Sequence, residues 1–103
     1  MHFRSLRLRL LAFVLVLAVV AGACSASALQ PVADFGGNPG NLDMFVHIPD
    51  DVQAPTPVVL VLHGCSQDAT FADDVGMTAL ADAYGFVVVA AQTHSGNNAG
   101  QCF

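Results

Sequence analysis

The sequence predicts an α/β fold with parallel central strands, and three observations carry that prediction. Val58 to Leu62 and Phe86 to Ala91 are continuous apolar runs rich in β-branched residues, the pattern of strands buried on both faces. Between them, Thr70 to Tyr84 spaces its apolar residues as an amphipathic helix does. A strand, a helix and a second strand of these lengths form a βαβ unit. The polar run His63-Gly64-Cys65-Ser66-Gln67-Asp68 then falls at the carboxyl end of the first strand, where open α/β sheets place their ligand sites.

The chain begins with a targeting segment. Arg4, Arg7 and Arg9 form a positive n-region, Leu10 to Ala21 an apolar h-region, and small residues follow. Ala26-Ser27-Ala28 is an A-x-A cleavage site, which makes residues 1–28 a signal peptide and 29–103 the mature domain of a secreted protein. A second reading takes Ala21-Gly22-Ala23-Cys24 as a lipobox, with Cys24 lipidated and the chain held at the cell envelope; membrane contact is expected only in that case. In a third, the segment stays as an uncleaved anchor, but its apolar run is shorter than the roughly 20 residues a spanning helix needs.

All the Lys and Arg residues lie in that segment, so a chain starting at Leu29 has eight Asp and a formal charge of −8. That excludes nucleic-acid binding through phosphates, which needs cationic side chains. The Asp side chains read as solvated positions that keep an exported protein soluble. Of the cysteines Cys24, Cys65 and Cys102, the first is lost or lipidated on processing, which leaves an even pair in an oxidising compartment and predicts a Cys65–Cys102 disulfide. Two cysteines without a C-x-x-C or His partner make no zinc set, so no metal is expected.

In order along the chain, Leu29 to Ala33 reads as a short linker, and Asp34 to Asn41, dense in Gly, Asn and Pro, as tight turns. From Leu42 to Pro49, Met44, Val46 and Ile48 alternate with Asp43, Phe45 and His47, the period of a half-buried strand. Asp50 to Pro57 connects to the first apolar run. The helix that follows has Phe71, Val75, Leu80 and Tyr84 as its apolar residues; Gly76 interrupts its start and Gly85 stops it. After the second apolar run, Gln92 to Phe103 is polar loop. This inventory, about three strands and one helix, is too small to cover buried parallel strands on both faces, so the sequence reads as the amino-terminal part of a larger domain.

Three features bear on chemistry. His63-Gly64-Cys65 after a buried strand matches an oxyanion-hole loop of α/β-hydrolases, with Gly64 permitting close backbone approach and Cys65 or Ser66 donating the N–H; a plain chain-reversing turn fits the same dipeptide. Ser66 as the nucleophile of a G-x-S-x-G elbow is rejected, because Asp68 puts a carboxylate where the second Gly belongs, and Ser95 fails the same test on both sides. His47 reads as the partner of a neighbouring group and His94 precedes any nucleophile in the chain. Asp73, Asp74 and Asp82 read as solvated helix positions.

The segments Phe35-Gly-Gly-Asn-Pro-Gly-Asn-Leu42, Leu60-Val-Leu-His-Gly-Cys-Ser-Gln67, Ala81-Asp-Ala-Tyr-Gly-Phe-Val-Val88, Gln92, Asn97-Asn98 and Cys102-Phe103, in that order, resemble the start of secreted polyhydroxybutyrate depolymerase-like esterases, which overlap with feruloyl and acetylxylan esterases. The resemblance implies the amino-terminal part of an α/β-hydrolase sheet and hydrolysis of carboxylic esters, polyhydroxyalkanoate or plant-wall acyl esters, through a Ser-Asp-His triad and an acyl-enzyme, without a cofactor. It assigns His63, Gly64, Cys65 and Ser66 to the oxyanion loop, Gln92 to a loop residue near the site, and Cys102 to a cysteine before an aromatic run. Where the family has Pro and Glu, this chain has Ala90 and Ala91. The triad itself is expected past Phe103, so the chain alone is expected to be inactive. The alternative is a small exported binding or structural module derived from the same fold.

Overall fold

A computed structural model describes residues 27–103. Residues 1–26, which include the arginines, the apolar run and Cys24 of the expected targeting segment, lie outside the described residues, whereas Ser27 and Ala28 are within them. Four strands, β1 (Gln30–Pro31), β2 (Asp43–His47), β3 (Val58–Leu62) and β4 (Val87–Gln92), form one mixed sheet in the order β1-β2-β4-β3. Two helices, α1 (Phe71–Asp74) and α2 (Met77–Tyr84), connect β3 to β4. β3 and β4 run parallel, with Val58 opposite Val87 and Leu62 opposite Ala91, so the predicted βαβ unit is present. β2 pairs antiparallel with β4 on its other side. Among the described residues no helix is long and apolar enough to cross a membrane.

The segment read as a linker is part of the sheet. Gln30 and Pro31 pair antiparallel with Val46 and Phe45, the Val32 N–H donates to the Met44 carbonyl at 2.9 Å, and Leu29 is buried. Pro31 is tolerated because β1 is an edge strand, where a missing N–H costs no ladder bond. The Gly-rich stretch after it does make turns: Asp34 accepts from the Gly36 N–H, and the Asn38 side chain brackets Leu42 through both its N–H and its carbonyl.

The helical stretch is broken in two at Gly76, which has φ +75°, a left-handed backbone that glycine adopts without a Cβ penalty. Gly85, at φ +71°, closes α2 in the same way, its N–H donating to the Ala81 carbonyl at 2.8 Å. The face that α2 turns to the sheet differs from the one expected. Ala72, Thr78 and Ala81 are buried, with Phe71 and Met77 packed beside them, whereas Val75, Leu80 and Tyr84 are exposed, Tyr84 by 77%. Small side chains let the helices lie close against the sheet, so the inward positions are chosen for size and not for hydrophobicity.

Strand burial is also one-sided. Val61, Val88 and Ala90 lie under the helices, while Val58, Leu60 and Leu62 are 63%, 60% and 48% exposed on the opposite face. The expectation of strands buried on both faces therefore holds for one face only, because among the described residues the helices cover a single side. Phe45 of β2 packs with the helix-side core, and Ile48, just past the strand, is exposed.

Replacing Ala81 by Leu should cost about 1–3 kcal/mol through overpacking under α2, whereas Leu80→Ala should change stability by less than about 0.5 kcal/mol. Urea unfolding of the two variants checks this, and the reverse order would mean that α2 rests on its other face.

Candidate active-site loop

Parallel pairing brings the carboxyl ends of β3 and β4 side by side, so the loops beginning at His63 and at Thr93 emerge together. Their junction is built on His63, which is 3% exposed. Its Nδ1 lies 2.7 Å from the Gly64 carbonyl and its Nε2 lies 3.2 Å from the Thr93 backbone N–H. A carbonyl can only accept and an N–H can only donate, so the proton is on Nδ1 and Nε2 is the acceptor. The Thr93 hydroxyl, 3.4 Å from Nε2, donates to the Gln101 carbonyl at 2.8 Å. The Phe103 ring meets the imidazole edge-on, with centroids 5.0 Å apart.

Cys65 and Cys102 are disulfide-bonded, with Cα atoms 4.0 Å apart, as their pairing by number predicts. Around that bond the Ser66 N–H donates to the Gly100 carbonyl at 2.8 Å, and the Asn98 side chain binds both backbone groups of Cys102 at 2.9 Å. Ser66 has φ +58°, a left-handed conformation that costs a non-glycine residue on the order of 1 kcal/mol or more and persists because its surroundings fix it. Gln92, the last residue of β4, accepts the Ala69 N–H at 3.1 Å, tying the strand to the entry of α1. Asp68 holds the same entry, its Oδ1 accepting from the Thr70 N–H at 2.9 Å and from the Thr70 hydroxyl. Those bonds, the hydroxyl first and the N–H second, outweigh the opposing effect of burial, and with a smaller contribution from His63 hold the Asp68 carboxyl below its ordinary value of 3.8.

The turn's own donors are almost all committed. Gly64 N–H goes to Gln67 Oε1 at 2.8 Å, Ser66 N–H to Gly100, and Gln67 N–H to the Gly64 carbonyl at 3.3 Å. Cys65 N–H alone of these four has no acceptor among the described residues. A Cβ on Gly64 would come within 2.7 Å of Gln67 Oε1, so the glycine makes room for the side chain that fixes the turn.

The remaining histidines are engaged elsewhere. His47 sits between the Ala28 carbonyl and Asp82, 2.7 Å from the latter, as a partnered strand residue, and His94 lies 3.2 Å from Asp43. Among the described residues no His is hydrogen-bonded to the Ser66 or Ser95 hydroxyl. No group of three or more His, Cys, Asp or Glu gathers among the described residues in a way that could hold a metal ion. Thr93, Gly100 and Phe103, which hold the loop in place, were not identified by sequence reasoning as its partners. The signal was the cysteine pairing, which by itself brings residues near 102 to residues near 65.

The family model described as Esterase PHB depolymerase matches residues 44–103. The chain belongs to that family. Among its relatives, poly(3-hydroxyalkanoate) depolymerase C of Paucimonas lemoignei is 45% identical over 93 residues, covering 90% of this chain and 22% of the relative. Feruloyl esterase B of Thermothelomyces thermophilus is 36% identical over 73 residues, 70% of this chain and 25% of that protein. The solved acetyl xylan esterase from Aspergillus awamori superposes with a TM-score of 0.57 at 31% identity, over 61% of this chain and 23% of the other. This esterase-family chain thus spans about a quarter or less of the length of these relatives.

Two outcomes are expected of the loop. Changing both Cys65 and Cys102 to Ser should lower stability by about 2–4 kcal/mol in denaturant unfolding. Because the Asp68 pKa is lowered on folding, its contribution is present above the ordinary value of 3.8 and is lost as pH falls through the folded value. Acid titration of stability should therefore fall less steeply in Asp68→Asn than in the unchanged chain.

Proposed function

We propose that this chain is the amino-terminal portion of a secreted carboxylic-ester hydrolase, and that its His63–Ser66 loop supplies one donor of the oxyanion hole. The observation that carries the reading is the Cys65 N–H just past the carboxyl end of β3, which has no acceptor among the described residues, in a turn where the Gly64, Ser66 and Gln67 N–H groups are engaged. An N–H of fixed direction, held by a disulfide and a buried imidazole, needs no reorganisation when negative charge develops on a substrate oxygen, and such a donor contributes roughly 2.7–4 kcal/mol to transition-state stabilisation. Of the two donors expected from the sequence, the geometry favours Cys65, since Ser66 N–H is already bonded to Gly100.

In this reading the attacking Ser, its His base and the Asp that orients the base come from sequence beyond these residues, and the 103-residue chain by itself does not turn over ester. His63 is a positioning residue, because both its nitrogens are used to hold the loop. The relatives' names point to two substrate classes, polyhydroxyalkanoate and the feruloyl or acetyl esters of plant walls. The higher identity to the depolymerase supports the polymer ester. The positive n-region and A-x-A site support export to the extracellular space, where such polymers are met.

A hybrid tests the proposal: residues 27–103 replace the matching segment of the Paucimonas lemoignei depolymerase, and hydrolysis of a short acyl ester is followed. The hybrid should be active and the 103-residue chain inactive. His63→Ala in the hybrid should lower kcat by about a hundredfold with little change in KM, since it displaces a group that acts in the transition state. Full activity in the His63→Ala hybrid would sink the oxyanion assignment.

A further inference from the structure

A chain starting at Leu29 contains no Lys and no Arg, so its α-amine is its only amine. The structure shows where that nitrogen sits. Leu29 is held in the core at 6% exposure. Its backbone nitrogen donates to Ser27 Oγ at 3.2 Å, and the same hydroxyl donates to Asp73 Oδ2 at 2.5 Å. One hydroxyl therefore bridges Leu29 to a carboxylate, and that hydroxyl lies on the leader side of the Ala28–Leu29 bond. The other Asp73 oxygen accepts from the Thr78 hydroxyl at 2.7 Å, which fixes the carboxylate across the α1–α2 break. A depression of about 600 Å³ opens beside it, and Ser27, Thr70, Asp73, Asp74 and Thr78 line it together with two alanines.

We propose that cleavage after Ala28 turns this bridge into a salt bridge, with the Leu29 α-ammonium taking the place of the Ser27 hydroxyl on Asp73. Hydrolysis of the Ala28–Leu29 bond consumes one water, leaves a carboxylate on Ala28 of the departing leader and places an ammonium on Leu29. Asp73 is suited to receive it. Burial pushes its carboxyl up, but hydrogen bonds from Ser27, Thr78 and the Ala28 N–H, with a smaller electrostatic contribution from His47, bring it below the ordinary value. Two of those groups, Ser27 and the Ala28 N–H, leave with the leader, and the new ammonium replaces what they supplied. Around the site stand Asp74 on α1, Asp82 on α2 and His47 on β2; His47 loses the Ala28 carbonyl on cleavage but keeps Asp82. Carboxylates thus outnumber cations around the amine. Processing then tightens the fold, and the exported chain gains a contact that its precursor lacks.

The proposal rests on cleavage at Ala28, and one set of measurements separates the two questions. The full precursor is expressed with export, and the intact mass of the product gives its first residue. The rate of acylation of its sole amine is then followed across the range in which an α-amine titrates, in native buffer, in urea, and in Asp73→Asn. The expected product begins at Leu29, and its amine titrates roughly half to one unit higher when native than when unfolded, a three- to tenfold shift in the equilibrium. Asp73→Asn should abolish the difference. A product beginning at Leu29 with the same titration in buffer and urea overturns the salt bridge while leaving the cleavage reading intact. A product beginning at Cys24 overturns the cleavage reading and the salt bridge with it. If Asp73→Asn does not fold, the native and urea titrations of the unchanged chain still decide.

Discussion

The register of β3 on β4 is the constraint on which the rest depends. With Leu62 opposite Ala91, His63 and Thr93 come out of the sheet as neighbours, and the imidazole can accept the Thr93 N–H. Side chains alternate with a period of two, so a slip of one residue would turn Val59 and Val61 away from the helices and move His63 off its partner. Val61 and Val88, packed under small residues of the helices, resist that slip. The disulfide and the Ser66–Gly100 bond then tie the loop after β3 to residues that follow β4, closing in covalent form a contact that the sheet has already made.

Much of this arrangement was legible in the residues. The two β-branched runs, the turn between β3 and the helices, Gly76 and Gly85 as interruptions, and the pairing of Cys65 with Cys102 all follow from local chemistry or parity. What was not legible depends on distance between layers. Leu80 and Tyr84 look like the inward stripe of a helix by hydrophobicity, yet Thr78 and Ala81 are the buried positions, beside Met77 at the helix start, and the larger residues lie outward. β1 escaped notice for a different reason: Gln30-Pro31 has no strand propensity of its own and is a strand only because β2 offers it an edge.

The open face of the sheet is a case in which the sequence describes more than the described residues show. Val58, Leu60 and Leu62 are as apolar as the buried Val61, and an apolar row of this kind on a parallel pair belongs under a second layer. Relatives about three to four times as long have ample chain to build one. The candidate loop does not wait on that layer, because every bond that fixes His63 to Ser66 comes from residues between Gly64 and Phe103.

The charge balance bears on the proposed oxyanion role too. From Leu29 onward the sequence has no Lys or Arg, so in the proposed esterase reading the stabilising of negative charge within these residues falls to the oriented dipoles of the backbone. A dipole is effective only if its direction is fixed before charge develops. The proposed role is in keeping with the way polar groups around the loop are spent on one another: His63 on Gly64 and Thr93, Gln67 on Gly64, Asn98 on Cys102, Gly100 on Ser66. Each bond removes a competing donor or a degree of freedom. Among the described residues the Cys65 N–H is the direction left over once they are all made.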